Sequence, residues 1–100
     1  MDKSNTVKLI AKTYTADNLG QMIPTEKTTE VFCNVRSVTR DEFYAANKQG
    51  IRPEWRVTMF APDYNGEETV EFNGSRYVVY RTYLGANEQL ELYLASRVGA

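Results

Sequence analysis

From Trp55 onward the chain alternates apolar and polar residues, and that period of two confines it to β structure. Trp55, Val57 and Met59 stand against Arg56, Thr58 and Phe60, because successive side chains of a strand point to opposite faces. Pro62 ends the run, and Asp63-Tyr64-Asn65-Gly66 supplies a tight turn. A short strand from Thr69 to Phe72 leads into Asn73-Gly74, and both of those residues tolerate the positive φ of a type I′ hairpin turn. Arg76 to Leu84 then turns Tyr77, Val79 and Arg81 one way and Val78, Tyr80 and Thr82 the other. After a turn at Gly85-Ala86-Asn87, the strand from Glu88 to Ser96 points Leu90, Leu92 and Leu94 inward and Glu91 and Tyr93 outward. The second half reads as a four-strand antiparallel meander.

The first half adds two strands and a helix. Val7 to Tyr14 is one strand, and Thr28 to Val38 is another, with Val31, Cys33, Val35 and Ser37 on one face. Phe32 and Val38 on the other face imply cover on both sides. Between the strands Asp17-Asn18-Leu19-Gly20 is a turn signal, and the polar stretch from about Thr15 to Thr29 exceeds the usual hairpin loop. It is expected to be a flexible loop, residues 15–29, that orders on assembly. A helix over residues 40–49 follows. Thr39 and Glu42 have capping-box spacing, Asp41 and Glu42 complement the helix dipole, Gly50 stops the helix and Pro53 forbids its resumption. The face holding Phe43, Ala46 and Asn47 is too narrow for a helical core. It suits a helix laid across an opening in a β structure, with Phe43 and Ala46 as the plug.

Six strands of this length cannot hide their edges in a flat open sheet, so the expected fold is a small six-stranded antiparallel β-barrel or tight sandwich with one short α-helix. One hundred residues make one domain, 1–100, with a single modest core. Twelve percent aromatic residues favour strands. No long apolar run predicts a membrane span, and Met1-Asp2-Lys3-Ser4-Asn5 lacks the apolar core of a signal peptide. A lone cysteine, Cys33, excludes an internal disulfide and fits a reducing compartment, so an intracellular product is expected.

Residues suited to catalysis are scarce. Histidine is absent, which removes the usual general base and the commonest metal ligand. Nothing beside Ser4, Ser37, Ser75 or Ser96 could activate a hydroxyl, and Gly20, Gly50, Gly66, Gly74, Gly85 and Gly99 are spaced as turn residues rather than as a phosphate loop. Asp63-Tyr64-Asn65-Gly66-Glu67 lacks the later glutamate and flanking helices of a calcium loop. Cys33 on an apolar strand face reads as a buried thiol, and Glu67 and Glu68, on opposite faces of a strand, read as solvated charge. The expectation is no enzyme, no cofactor and no metal.

Charge and aromatics bear on partners. A net charge of −1 gives no electrostatic reason for DNA binding, and Glu67, Glu68 and Glu71 would repel a phosphate backbone. Tyr77, Tyr80, Tyr83 and Tyr93 leave open a second reading, a small barrel binding single-stranded nucleic acid on stacked rings, or binding protein. With Phe43 and Ala46 turned inward, Arg40, Tyr44, Lys48, Gln49, Arg52 and Glu54 remain on the helix exterior and exit. A tyrosine among charges of both signs is the composition of an interface anchor with a polar rim, and these six are the expected assembly contacts.

The order of segments resembles the head–tail connector or head-closure proteins of long-tailed bacteriophages, also called head–tail joining, adaptor or stopper proteins. The resemblance spans Val7 to Val98. It rests on Val31-Phe32-Cys33-Asn34-Val35-Arg36-Ser37-Val38 before the helix and on Thr39-Arg40-Asp41-Glu42-Phe43-Tyr44-Ala45-Ala46, similar to the family's Ser-Arg-x-Glu-Phe-Tyr-x-Ala segment. Gly50-Ile51-Arg52-Pro53-Glu54, Phe72-Asn73-Gly74-Ser75-Arg76-Tyr77-Val78-Val79-Tyr80-Arg81 and Leu90-Glu91-Leu92-Tyr93-Leu94 continue it. It implies a β-barrel with one helix that assembles with copies of itself into a ring, commonly a dodecamer. That ring would contact portal or adaptor proteins on the capsid side and a tail or tail-completion protein on the other. DNA would pass through without sequence-specific binding, and the chain would occupy the virion after assembly in the host cytoplasm, with no membrane partner.

Overall fold

A computed structural model of the protein describes residues 5–96; Met1 to Ser4, Gly99 and the end of the resemblance at Val98 lie outside the described residues. In chain order it contains β1 (Asn5–Ala16), β2 (Met22–Ser37), α1 (Arg40–Asn47), β3 (Pro53–Phe60), β4 (Thr69–Phe72), β5 (Ser75–Leu84) and β6 (Gln89–Ser96). The strands form a closed antiparallel barrel in the order β1-β2-β3-β6-β5-β4, with β4 returning to β1. Closure removes the edges that a six-stranded open sheet would expose.

The alternation on β1, β2, β3 and β6 becomes the barrel interior. Register sets Val7 opposite Val31, Leu9 opposite Val70, Cys33 opposite Met59, Val57 opposite Leu92 and Met59 opposite Leu90. All of these residues are buried and, with Leu94, make one core. Asn73 and Gly74 both have positive φ, +52° and +80°, so the β4–β5 hairpin turns where this dipeptide directs it.

The four-strand meander does not form as expected. β3 pairs with β2 and β6, whereas β4 pairs with β5 and β1, so the expected meander breaks between β3 and β4, and the barrel is two three-strand meanders, β1-β2-β3 and β4-β5-β6. The chain leaving β3 must cross to reach the opposite wall. A 3₁₀ turn over Ala61–Asp63 starts the crossing, and Ala61 and Tyr64 pack against the core there. Tyr64 donates its hydroxyl to the Glu67 carbonyl at 2.6 Å, and the Glu67 carboxylate accepts the Asn65 N–H at 3.1 Å. Glu67 is therefore buried in a loop rather than solvated on a strand, its charge satisfied by a backbone donor.

The stretch expected as a loop over residues 15–29 is mostly strand. β1 and β2 pair without interruption from Asn5 and Cys33 to Ala16 and Met22. Only residues 17–21 turn, where the Asp17 carboxylate accepts the N–H groups of Leu19 at 2.9 Å and Gln21 at 2.8 Å. Pairing of β1 with β4 stops at Ile10, and pairing of β2 with β3 begins at Cys33. Residues 11–16 and 22–27 thus extend past the barrel as a two-stranded arm. The molecule measures 50 × 31 × 23 Å, with a radius of gyration of 15.0 Å against about 13 Å for a compact domain of this length. Almost every arm side chain is exposed, so no buried face writes a period of two into its sequence. Pro24 is tolerated because β2 is an edge at that point. Phe32, expected under cover, is 70% exposed.

Candidate assembly surface

Helix α1 begins as its sequence dictates. Thr39 is the N-cap, its hydroxyl accepting the Glu42 N–H at 3.2 Å. The reciprocal half of the capping box gives way to a longer reach. The Glu42 carboxylate takes the Tyr80 hydroxyl at 2.7 Å through one oxygen and the Arg81 guanidinium through the other. At the far end Gly50, with φ +80°, donates to the Asn47 carbonyl at 3.0 Å, and Ile51 donates to the Ala46 carbonyl at 3.1 Å. This pair of bonds is the Schellman closure that glycine permits.

These contacts fix which side of α1 faces the barrel. Glu42 and Ala46 turn inward, and with Ala45, Gln49 and Ile51 they border a cleft of about 360 Å³ against Tyr80 and Arg81. Ala46 is buried, as expected. Phe43 is not a plug, being 41% exposed and stacked edge-on against Tyr44 at 6.0 Å. Trp55 and Phe72, whose rings meet edge-on at 5.6 Å, pack against the core instead. The helix lies on the outer wall, held by Glu42, because two strong donors on β5 outcompete an apolar contact that the core does not need.

Of the six expected assembly residues, all are exposed. Arg40, Tyr44 and Lys48 follow at intervals of four and share one flank, while Gln49 borders the cleft on the opposite flank. Arg52 and Glu54 lie at the helix exit, where the Arg52 carbonyl accepts the Ser96 N–H at 3.1 Å. Tyr44 is 59% exposed. Phe43 joins this surface, so its centre is a pair of aromatic rings flanked by Arg40 and Lys48.

The anchor beneath the helix was not legible as a site. A β-bulge between Val79 and Arg81 turns both Tyr80 and Arg81 outward towards Glu42, which breaks the alternation expected for that strand. Arg81 also lies over the Tyr93 ring, 4.0 Å from its centre, and the Tyr93 hydroxyl donates to Glu91 at 2.9 Å. A glutamate three residues after a helix cap and two tyrosines near an arginine were the only sequence signal. Of the four tyrosines of the stacking reading, Tyr80 and Tyr93 are neighbours, their rings 6.2 Å apart and tilted by 57°, but both hydroxyls are bonded to carboxylates; Tyr77 packs on the core, and Tyr83 alone among them is broadly exposed.

Burial, and then the bond to Glu42, push the Tyr80 hydroxyl far above its ordinary pKa; burial and Glu91 raise Tyr93, and burial with Glu67 and Glu68 raises Tyr64. The folded state holds these protons after the unfolded chain has released them near pH 10. The stability they confer is complete below about pH 10 and is lost as pH rises towards the folded values. Urea unfolding at about pH 8 and about pH 11 should therefore show a fall in stability on the alkaline side, and Tyr80→Phe should make that fall shallower. An equal fall in both proteins would contradict the Glu42–Tyr80 bond.

Among the described residues no three His, Cys, Asp or Glu side chains are grouped to hold a metal ion. Cys33 is wholly buried in the core. The chain matches none of the known protein families, and none of the curated proteins, with which it was compared.

Proposed function

We propose that this chain is a structural virion protein of a phage or prophage, forming a ring at the head–tail interface that closes the capsid after DNA packaging and joins the tail. The supporting observation is the placement of one exposed aromatic and basic helix face on the outside of a small closed barrel. The segments that carry the resemblance fall on coherent parts of that frame: residues 31–38 on the end of β2 and the turn into α1, 39–46 on the cap and first turns of α1, 72–81 across the β4–β5 hairpin, and 90–94 on β6. The partners of this reading are further copies of the chain, a portal or adaptor protein and a tail component. DNA would slide through the ring without being held, which a net charge of −1 suits. No catalytic step and no cofactor are part of the proposal. With Tyr77 packed on the core, and Tyr80 (half-buried) and Tyr93 (buried) bonded to Glu42 and Glu91, only Tyr83 of the four offers a broadly exposed ring, which weighs against the single-stranded nucleic-acid reading. Imaging the assembled particle tests the proposal, because the barrel should repeat around the axis where capsid meets tail.

A further inference from the structure

The arm formed by residues 11–16 and 22–27 does not continue straight from the barrel wall. Arg76 on β5 stands opposite Glu71 on β4, and Glu71 stands opposite Lys8 on β1. On the arm, Glu26 stands opposite Lys12, further along β1. In a flat sheet the run from Lys8 to Lys12 and the three strand spacings from β2 to β5 would set Glu26 and Arg76 about 20 Å apart, farther than their side chains can bridge. Yet the Arg76 guanidinium donates to both oxygens of the Glu26 carboxylate, at 2.9 and 3.1 Å. Val70 and Tyr77 pack on the core, so their neighbours Glu71 and Arg76 point out of the barrel. Only an arm bent towards the outer face of β4 and β5 brings Glu26 to Arg76.

A second observation marks the same bend. Leu9 belongs to the core, which turns its neighbour Ile10 to the outer face, and there Ile10 is only 5% exposed. It lies in a cleft of about 490 Å³ between the arm and residues 65–69, with Lys12, Tyr14 and Glu26 on one side and Thr69 and Arg76 on the other. Open space of that size beneath the arm means that close packing does not set its angle. A two-stranded ribbon is marginal in water on its own, and this one leaves the barrel where β1 parts from β4 at Ile10. Exposed ion pairs usually count for little, but a bidentate arginine–carboxylate pair within a network is the exception. Here Arg76 also approaches Glu71 at 3.7 Å, and Glu71 approaches Lys8 at 3.8 Å.

We infer that the arm is a hinged strap, pivoting where it leaves β4, and that the Arg76–Glu26 pair latches it over Ile10 and the cleft. Unlatched, the arm straightens in line with β1 and β2, the cleft opens, and the tip moves away from the β4–β5 hairpin. This is a property of the single chain and stands whether or not the ring reading does.

Pulsed electron spin resonance between labels on the arm tip and the hairpin tests it. Leu19→Cys and Ser75→Cys supply the label sites, both exposed, and Cys33 is wholly buried and takes no label. The labelled chain should show one dominant short distance. Arg76→Gln and Glu26→Gln, both at exposed positions, should each keep the melting transition and lower the ratio of the short distance to a longer one by about fivefold. The double variant should shift no further than either single one, because both substitutions remove the same pair. Should one single variant fail to fold, the other decides. Distances left unchanged by a folded single variant, or shifts that add in the double variant, would overturn the inference.

Discussion

Leu92→Ala should lower the unfolding free energy by about 3 kcal/mol, within the range of 2–5 for a buried leucine. Leu92 is fully buried at the middle of β6, with Val57 opposite it on β3 and Thr82 opposite it on β5. In an open sheet the neighbours could move inward to reclaim lost contacts. In a closed barrel the hydrogen-bonded walls hold the interior at a set width, so the cavity persists and its cost adds to the lost transfer energy. Against a total stability of about 5–15 kcal/mol this is a large fraction. The melting temperature should fall by about 4–8 °C per kcal/mol. Leu84→Ala is the control: its side chain is 64% exposed, and the change should stay within about 0.5 kcal/mol. Equal losses at both positions would contradict a barrel core.

The second large effect concerns assembly rather than folding. Arg40 and Arg52 lie at the entry and exit of α1, exposed beside Tyr44 and Glu54. Among the described residues neither guanidinium forms an ion pair, and the Arg52 backbone, through its carbonyl, is the part tied to β6. Arg40→Glu with Arg52→Glu should leave the isolated chain as stable as before, within about 0.5 kcal/mol. In the particle the same pair should be severe. On the proposed reading a planar guanidinium facing a neighbouring carboxylate would be replaced by two like charges at close range, a repulsion that interfaces tolerate poorly. Tail-bearing particles should be lost, leaving DNA-filled or leaking heads. A normal yield of infectious particles from the double variant would remove α1 from the interface.

What could be read from the sequence follows what is buried. Every strand with one face in the core was legible, and Leu90, Leu92 and Leu94 on β6 are the plainest case. The arm was not, since residues 11–16 and 22–27 bury neither face and carry no period. The bulge at Tyr80 was invisible for a related reason: one inserted residue slips the register while leaving composition unchanged. Strand order failed at β3, because alternation says which face is inward and nothing about which strand lies alongside. In the candidate surface, Arg40, Tyr44, Lys48, Gln49, Arg52 and Glu54 were found as exposed groups, whereas Phe43 was read as a plug because it shares a helix face with Ala46. Its neighbour Glu42 decides the rotation of the helix, through partners on β5 that are distant in sequence.

Averaged electron microscopy of particles from the genome encoding this chain tests the central claim most directly. The account predicts ring density between the capsid vertex and the tail, each repeat fitting the six-stranded barrel with α1 turned towards a neighbouring protein. Particles with complete head–tail junctions and no density for the barrel there would contradict it.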